Sequence, residues 1–186
     1  SDYEEMYASR MIEVCKNAKE IMRDTLDVIT SAASFPINTE ASETHPIIAA
    51  DESTLFFTRT QYQLYQGLVI DSVQQILFSE KVDRHWATPK ALNFQQKDNS
   101  NYQLIGASPD GTILFFFSGD QNSGDLYIGK LTNDIVENLE KLPYPINTEF
   151  WEGNMSMTPD GRELYFSSNR PGGYSGKDIY KSIHFE

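Results

Sequence analysis

The sequence predicts an all-β chain of repeated antiparallel sheets behind one N-terminal α-helix. Three observations carry this. An apolar period of three and four is confined to the first 27 residues. From Val28 onward the pattern changes to short aromatic and β-branched runs cut by turn residues. An internal repeat then spans that second region.

The opening segment contains no Gly or Pro, and Tyr3, Tyr7, Met11, Val14, Ala18 and Ile21 mark one helical face. Ser1 or Asp2 caps its start, Glu4 and Glu5 suit the positive end of the helix dipole, and Lys16, Lys19, Glu20 and Arg23 occupy the opposite face. A helix is expected from about Asp2 to Asp24. Its apolar stripe calls for a partner, either the rest of the chain or a preceding helical domain. The chain is therefore divided into a helix or linker at 1–27 and a repeat region at 28–186.

Shifting the sequence by 109 positions lays Pro36-Ile37-Asn38-Thr39-Glu40 on Pro145-Ile146-Asn147-Thr148-Glu149, with Glu43, Asp51, Leu55 and Phe57 falling on Glu152, Asp160, Leu164 and Phe166. Nine identities in 22 positions are far more than chance supplies. Asp110, Leu114 and Phe116 mark a third copy between them. In each unit a short strand (His45 to Ala50, Gln103 to Ser108, Asn154 to Thr158) enters a tight turn: Asp51-Glu52-Ser53, Pro109-Asp110-Gly111 or Pro159-Asp160-Gly161. Pro presets φ, Asp bonds backbone further on, and Gly accepts positive φ, so these are hairpin turns. Glu52 in place of Gly predicts a different or more strained closure in the first unit.

A second strand follows at Leu55 to Thr58, Leu114 to Phe117 and Leu164 to Ser167. A third is marked by Leu64-Tyr65, Asp125-Leu126-Tyr127 and Asp178-Ile179-Tyr180. Fourth-strand candidates are Gln75 to Val82 and Asp134 to Leu142, and Trp86 to Leu92 forms an outer strand or its exit loop. Four antiparallel strands per unit of about 50 residues describe a β-propeller blade, whose faces are buried by stacking on neighbours. The expected blades lie at about 36–92, 93–142 and 143–186. Three blades fall below the roughly four to eight that close a ring. Further blades, or a homodimer of six, are therefore expected. The segment from Asp27 to Ser31 is a candidate strand to complete a last blade.

The motifs Ser108-Pro109-Asp110-Gly111 and Thr158-Pro159-Asp160-Gly161, the latter continuing through Ser168-Asn169-Arg170-Pro171-Gly172-Gly173 to Asp178-Ile179-Tyr180, resemble the WD-repeat-like, TolB-type propeller family. The Pro-Ile-Asn-Thr-Glu segments and the Trp86, Pro89, Leu92 spacing resemble its Bacteroidetes subset, the OmpA-family and PorE-like envelope proteins. That resemblance implies a non-enzymatic protein-binding or scaffold module at the periplasm or outer-membrane periphery, with a protein partner in the cell envelope. The alternatives are an accessory propeller of a peptidase or glycan-processing enzyme, or a glycan-binding module.

With 27 acidic and 15 basic residues the chain carries a net charge of −12, which repels phosphate backbones and disfavours nucleic acid. No apolar run approaches the roughly 20 residues of a membrane-spanning helix. The lone Cys15 excludes an internal disulfide. His45, His85 and His184 lack metal-ligand spacing. Lys177 stands where a nucleophile elbow around Ser175 needs its final Gly. No catalytic residue, cofactor or metal is therefore assigned. The run Asp120 to Asp125 alternates oxygen ligands in a way that suits calcium, but it lacks a bidentate Glu and reads first as a polar connection. Arg170 and Asp178 are expected to fasten a loop by a charge-assisted hydrogen bond. Trp86, Trp151, Arg170 and Tyr174 are the candidate partner contacts, since large side chains on connections anchor ligands.

Overall fold

The computed structural model describes residues 2–21, 29–95, 101–120, 123–174 and 176–183. The chain divides into two compact units, 1–32 and 33–186. The first holds helix α1, Asp2–Ile21, which begins where the sequence places it; residues 22–28 lie outside the described residues.

The second unit is three antiparallel sheets in chain order. The first comprises β1 (Ser42–Ile48), β2 (Thr54–Tyr65) and β3 (Leu68–Val82), with the short β4 (His85–Trp86) and β5 (Lys90–Ala91) both on the free edge of β3. In the second, β7 (Gln103–Ala107), β8 (Ile113–Gly119), β9 (Gly124–Thr132) and β10 (Ile135–Lys141) form a meander, and β6 (Asn93–Phe94) adds in parallel to β10. The third has β11 (Glu152–Met157), β12 (Glu163–Ser168) and β13 (Asp178–Ile183). Strand counts are thus five, five and three where four apiece were expected. The outer edge is built from two-residue pieces because Pro89 and the surrounding irregular chain cannot sustain a ladder. Residues 29–31 form no strand.

The third strand of the first sheet also differs from expectation. Leu64-Tyr65 ends β2, and the chain reverses through Gln66 and Gly67, both at positive φ, into β3. Gln75 to Val82 is accordingly the second half of the third strand and not a fourth.

The sheets are held together by the alternation of side chains along their second strands. Phe115 and Phe116 are adjacent on β8, so they enter opposite faces, and both are fully buried. Phe116, with Leu104, Leu114 and Val136, meets Phe56 and Phe78 of the first sheet. Phe115, with Leu126, meets Met155 and Phe166 of the third. A sheet covered on both faces reads as a continuous apolar run, Ile113-Leu114-Phe115-Phe116-Phe117, whereas β12, covered on one face, alternates. Each buried ring contributes roughly 1.5–3 kcal/mol of transfer free energy.

First strands meet across the sheets, β1 against β7 and β7 against β11. Each carries a bulge, at Thr44/Ile47, Leu104/Gly106 and Gly153/Met155, and bulges re-aim and twist a strand. His45 and Asn154, 109 residues apart, both take positive φ there, at 53° and 48°.

The turns follow the predicted chemistry. Gly111 and Gly161 lie at φ of 69° and 71°. Asp110 Oδ1 accepts from Ser108 Oγ (2.6 Å) and the Thr112 amide (3.1 Å), and Asp160 Oδ1 from the Thr158 hydroxyl and the Arg162 amide. The first unit closes in the same way: Ala49 N donates to Thr54 O at 2.9 Å, Ser53 N to Asp51 Oδ1 at 2.9 Å, and Glu52 itself adopts φ 58°. The geometry is conserved across the repeat, and the strain falls on Glu52.

Candidate functional site

The 109-residue repeat is also a repeat of contacts. In the third sheet, Glu152 accepts from the Thr148 amide (2.9 Å) and hydroxyl (2.6 Å), and Thr148 Oγ1 accepts from Phe150 N. Glu43, Thr39 and Ala41 reproduce this ahead of the first sheet. A guanidinium closes each unit onto the preceding turn. Arg59 donates to Glu43 (2.8 Å) and to the carbonyls of Pro36 and Ile37; Arg170 donates to Glu152 (3.1 Å) and to the carbonyls of Pro145 and Ile146. The two arginines are not at equivalent positions. Arg59 aligns with Ser168, which hydrogen-bonds Glu152 while Arg170 reaches over it from two residues further along the chain. Burial pushes the Glu43 carboxyl up, but bonds from Thr39 and Arg59 outweigh it and hold the group below its ordinary value.

The four candidate contact residues fall in different places. Trp86 is half-buried against Ile37, Phe57 and Leu77 on the outer face of the first sheet, with Lys81 Nζ 5.3 Å from its ring centroid. Trp151 and Arg170 come together at one end of the third sheet. Trp151 packs on Phe117 and donates to Asp120 O at 3.1 Å, and Lys177 Nζ lies 3.3 Å from its ring centroid. Arg170 lies over the rings of Phe166 and Tyr180. Its carboxylate partner is Glu152, while Asp178 stands close against the Gly173 backbone. Tyr174 is fully exposed on the loop between β12 and β13. Of the Asp120 to Asp125 run, residues 121 and 122 lie outside the described residues; Asp120 accepts from Ser123 N (2.9 Å) and Asp125 pairs with Lys141 (2.8 Å). His184 also lies outside them.

Two surface features escape the sequence reading. A polar cleft of about 160 Å³ opens where the first strands meet, lined by His45, Thr58, Gln74, Gln103 and Asn154 among others, so that all three sheets contribute. The second is an arm. The β8–β9 ladder ends at Gly119↔Gly124, whereas the β2–β3 ladder runs past the equivalent Thr60↔Gln74 pair for five more pairs, to Tyr65↔Leu68. Along it Tyr62, Leu64, Tyr65, Leu68, Val69 and Ile70 are each 53–71% exposed. A signal for it was present in the Gln66-Gly67 dipeptide, since a two-residue loop ending in Gly between apolar runs is a hairpin turn.

These sheets define an all-β, propeller-like chain, and one solved structure agrees at the level of fold. A puromycin-hydrolyzing peptidase from Mycobacterium tuberculosis superimposes with a TM-score of 0.52 and 10% identity, covering 78% of this chain and 22% of that one. A protein assigned as TolB from Agrobacterium tumefaciens gives 0.39 and 17%, covering 78% and 59%. The chain thus spans less than two thirds of either. No family model and no curated protein matches the sequence. Among the described residues no helix is long and apolar enough to cross a membrane, and no group of His, Cys, Asp and Glu is arranged to hold a metal.

Proposed function

We propose that this chain is a non-enzymatic binding or scaffold module made of three propeller blades, working in the periplasm or at the outer-membrane periphery of a bacterial envelope through a protein partner. The observation that carries the reading is the β2–β3 arm. Six apolar side chains on the two faces of one hairpin stay in water at a cost of about 25 cal/mol per Å², and exposed apolar side chains gathered on one element mark association sites. A net charge of −12 favours a neutral or basic partner. The envelope location rests on the TolB-type and Bacteroidetes resemblance of the motifs.

The test is affinity capture from the envelope fraction of the source organism, with the wild-type chain and a Leu64→Asp/Val69→Asp variant side by side. A partner retained by the first and lost by the second, at equal thermal midpoints, is the expected result. Turnover of aminoacyl, peptide or glycoside substrates by the purified chain, or equal capture by both proteins, would overturn the reading.

A further inference from the structure

The cleft among the first strands is built by their bulges. His45, Ile105 and Asn154 lie in the bulges of β1, β7 and β11, and all three line it. A bulge re-aims the side chain it carries. His45 and Asn154 are aimed from left-handed backbone, which residues with a β-carbon seldom adopt, and strain of this kind gathers where side chains serve a ligand.

The first sheet adds a second wall. Thr58 pairs with Ile76 and Thr60 with Gln74, so Thr58, Gln74 and Ile76 share the face of the β2–β3 ladder that borders the cleft. Gln103 enters from the start of β7. The carboxamides of Gln74, Gln103 and Asn154 bond to no other described residue. His45 Nδ1 is engaged by Thr44 Oγ1 at 3.0 Å, which leaves Nε2 as the ring's open atom. Between these polar groups the half-buried Ile76 and Ile105 supply methyl surface.

The chemistry of the lining narrows the ligand. Among the described residues no charged side chain lines the cleft, although the chain carries −12. An ionised ligand would lose water here and meet no counter-charge. A wholly apolar one would cover the carboxamides and leave them unpaired. Carboxamides and a hydroxyl each offer a donor and an acceptor, so they match a neutral ligand that carries both on several sides. The volume of about 160 Å³ equals roughly five water molecules at about 30 Å³ each, which suits one ring and not a chain of residues.

We propose that this cleft binds a single neutral sugar residue. Its hydroxyls exchange hydrogen bonds with the carboxamides of Gln74, Gln103 and Asn154 and with His45 Nε2, and its C–H face rests on Ile76 and Ile105. The sugar is held and not transformed, so the site adds a ligand to the binding module and no reaction. Binding is weak, in the millimolar range that so small a ligand reaches, and insensitive to salt because no charge is involved. The site is separate from the exposed apolar stretch of the arm, on which the protein-binding reading rests.

The experiment is a titration of the purified, isotope-labelled chain with glucose, galactose, mannose and N-acetylglucosamine, followed by amide chemical shifts. At least one sugar is expected to move the signals of His45, Ile105 and Asn154 together, at low and at high salt alike. Gln74→Ala removes one carboxamide from an exposed position, and Asn154→Gly removes another while keeping a residue that accepts φ 48°. Each should weaken binding by about threefold to tenfold with the rest of the spectrum unchanged. No shift with any of the four sugars, shifts that both variants leave intact, glucose 6-phosphate binding as tightly as glucose, or an uncharged peptide such as N-acetylalanylalaninamide binding in preference would overturn the proposal. The arm variant Leu64→Asp/Val69→Asp should bind sugar as wild type does, so this inference and the protein-binding reading fail separately.

Discussion

Arg170 Nη2 lies 3.1 Å from Glu152 Oε1, and Glu152 is fully buried. Arg59 pairs with Glu43 at 2.8 Å in the equivalent place, where both side chains retain some exposure. Removing one partner of a buried pair strands the other charge, so the cost scales with how deeply the survivor lies. Arg170→Met is expected to destabilise the chain by about 3 kcal/mol, and Arg59→Met by about 1–2 kcal/mol because water still reaches Glu43. Urea denaturation of the two variants checks the ordering, and equal losses would show that the clasp does not depend on burial.

Asn147→Leu removes three hydrogen bonds and leaves the Leu126 amide without its acceptor. A loss of about 2–4 kcal/mol is expected from unpaired buried groups. Asn38→Leu, at the exposed repeat counterpart, should change stability by less than about 0.5 kcal/mol, as exposed substitutions do. The difference between the two midpoints measures what one filled carboxamide contributes.

Where local chemistry decides structure, the sequence was legible. The Asp-centred turns, the second strand through Phe115 and Phe116, and the third strands at Asp125 and Asp178 follow from residue type and turn chemistry alone. The arm is not legible from residue type, because Leu64-Tyr65 matches Leu126-Tyr127 as a dipeptide although Leu64 and Tyr65 are exposed and Leu126 is buried. The clasp was hidden because its arginines occupy unequal repeat positions, two residues apart. The grip of Asn147 left no residue-level trace, since its partners are backbone atoms of Leu126 and Leu142.

Glu52 occupies left-handed backbone at φ 58° where its two counterparts are Gly. The left-handed conformation costs a β-carbon-bearing residue roughly 1–2 kcal/mol, part of which glycine gives back through its freer unfolded chain. Glu52→Gly should therefore stabilise the chain by about 0.5–1 kcal/mol. Loss of the exposed Lys81 contact at 3.4 Å subtracts little. A higher thermal midpoint is the expected reading, and a lower one would mean that the ion pair outweighs the backbone.

The turn carboxylates give stability a definite pH dependence. The Ser53 hydroxyl beside Asp51, the Ser108 hydroxyl beside Asp110 and the Thr158 hydroxyl beside Asp160, each joined by a backbone amide, hold all three below the ordinary carboxylate value. A group with a lowered folded-state pKa contributes stability that is complete above its unfolded value of about 4 and is lost as pH falls through the lowered one. Thermal midpoints should be level near neutrality and fall below about pH 4. Asp110→Asn with Asp160→Asn should flatten that fall and converge with wild type in strong acid.

Gly106 tests how closely the first strands approach one another. A β-carbon placed there would lie 2.9 Å from Phe115 Cδ2 and 3.0 Å from the Met155 carbonyl oxygen, the latter on the neighbouring sheet. The phenyl ring is fully buried and packed between sheets, and the carbonyl belongs to the bulged strand β11, so neither retreats without moving β7 from β11. Gly106→Ala should cost about 1–3 kcal/mol, as overpacking of a filled core does. Gly67→Ala is the control: nothing lies within 4 Å of its β-carbon, so only the strain of φ 78° applies, at the tip of the arm. If the packed site loses no more than the open one, contact between the first strands does not hold the sheets together. If it loses more, and hydrogen exchange quickens in β7 and β11 together, the two strands open as one unit.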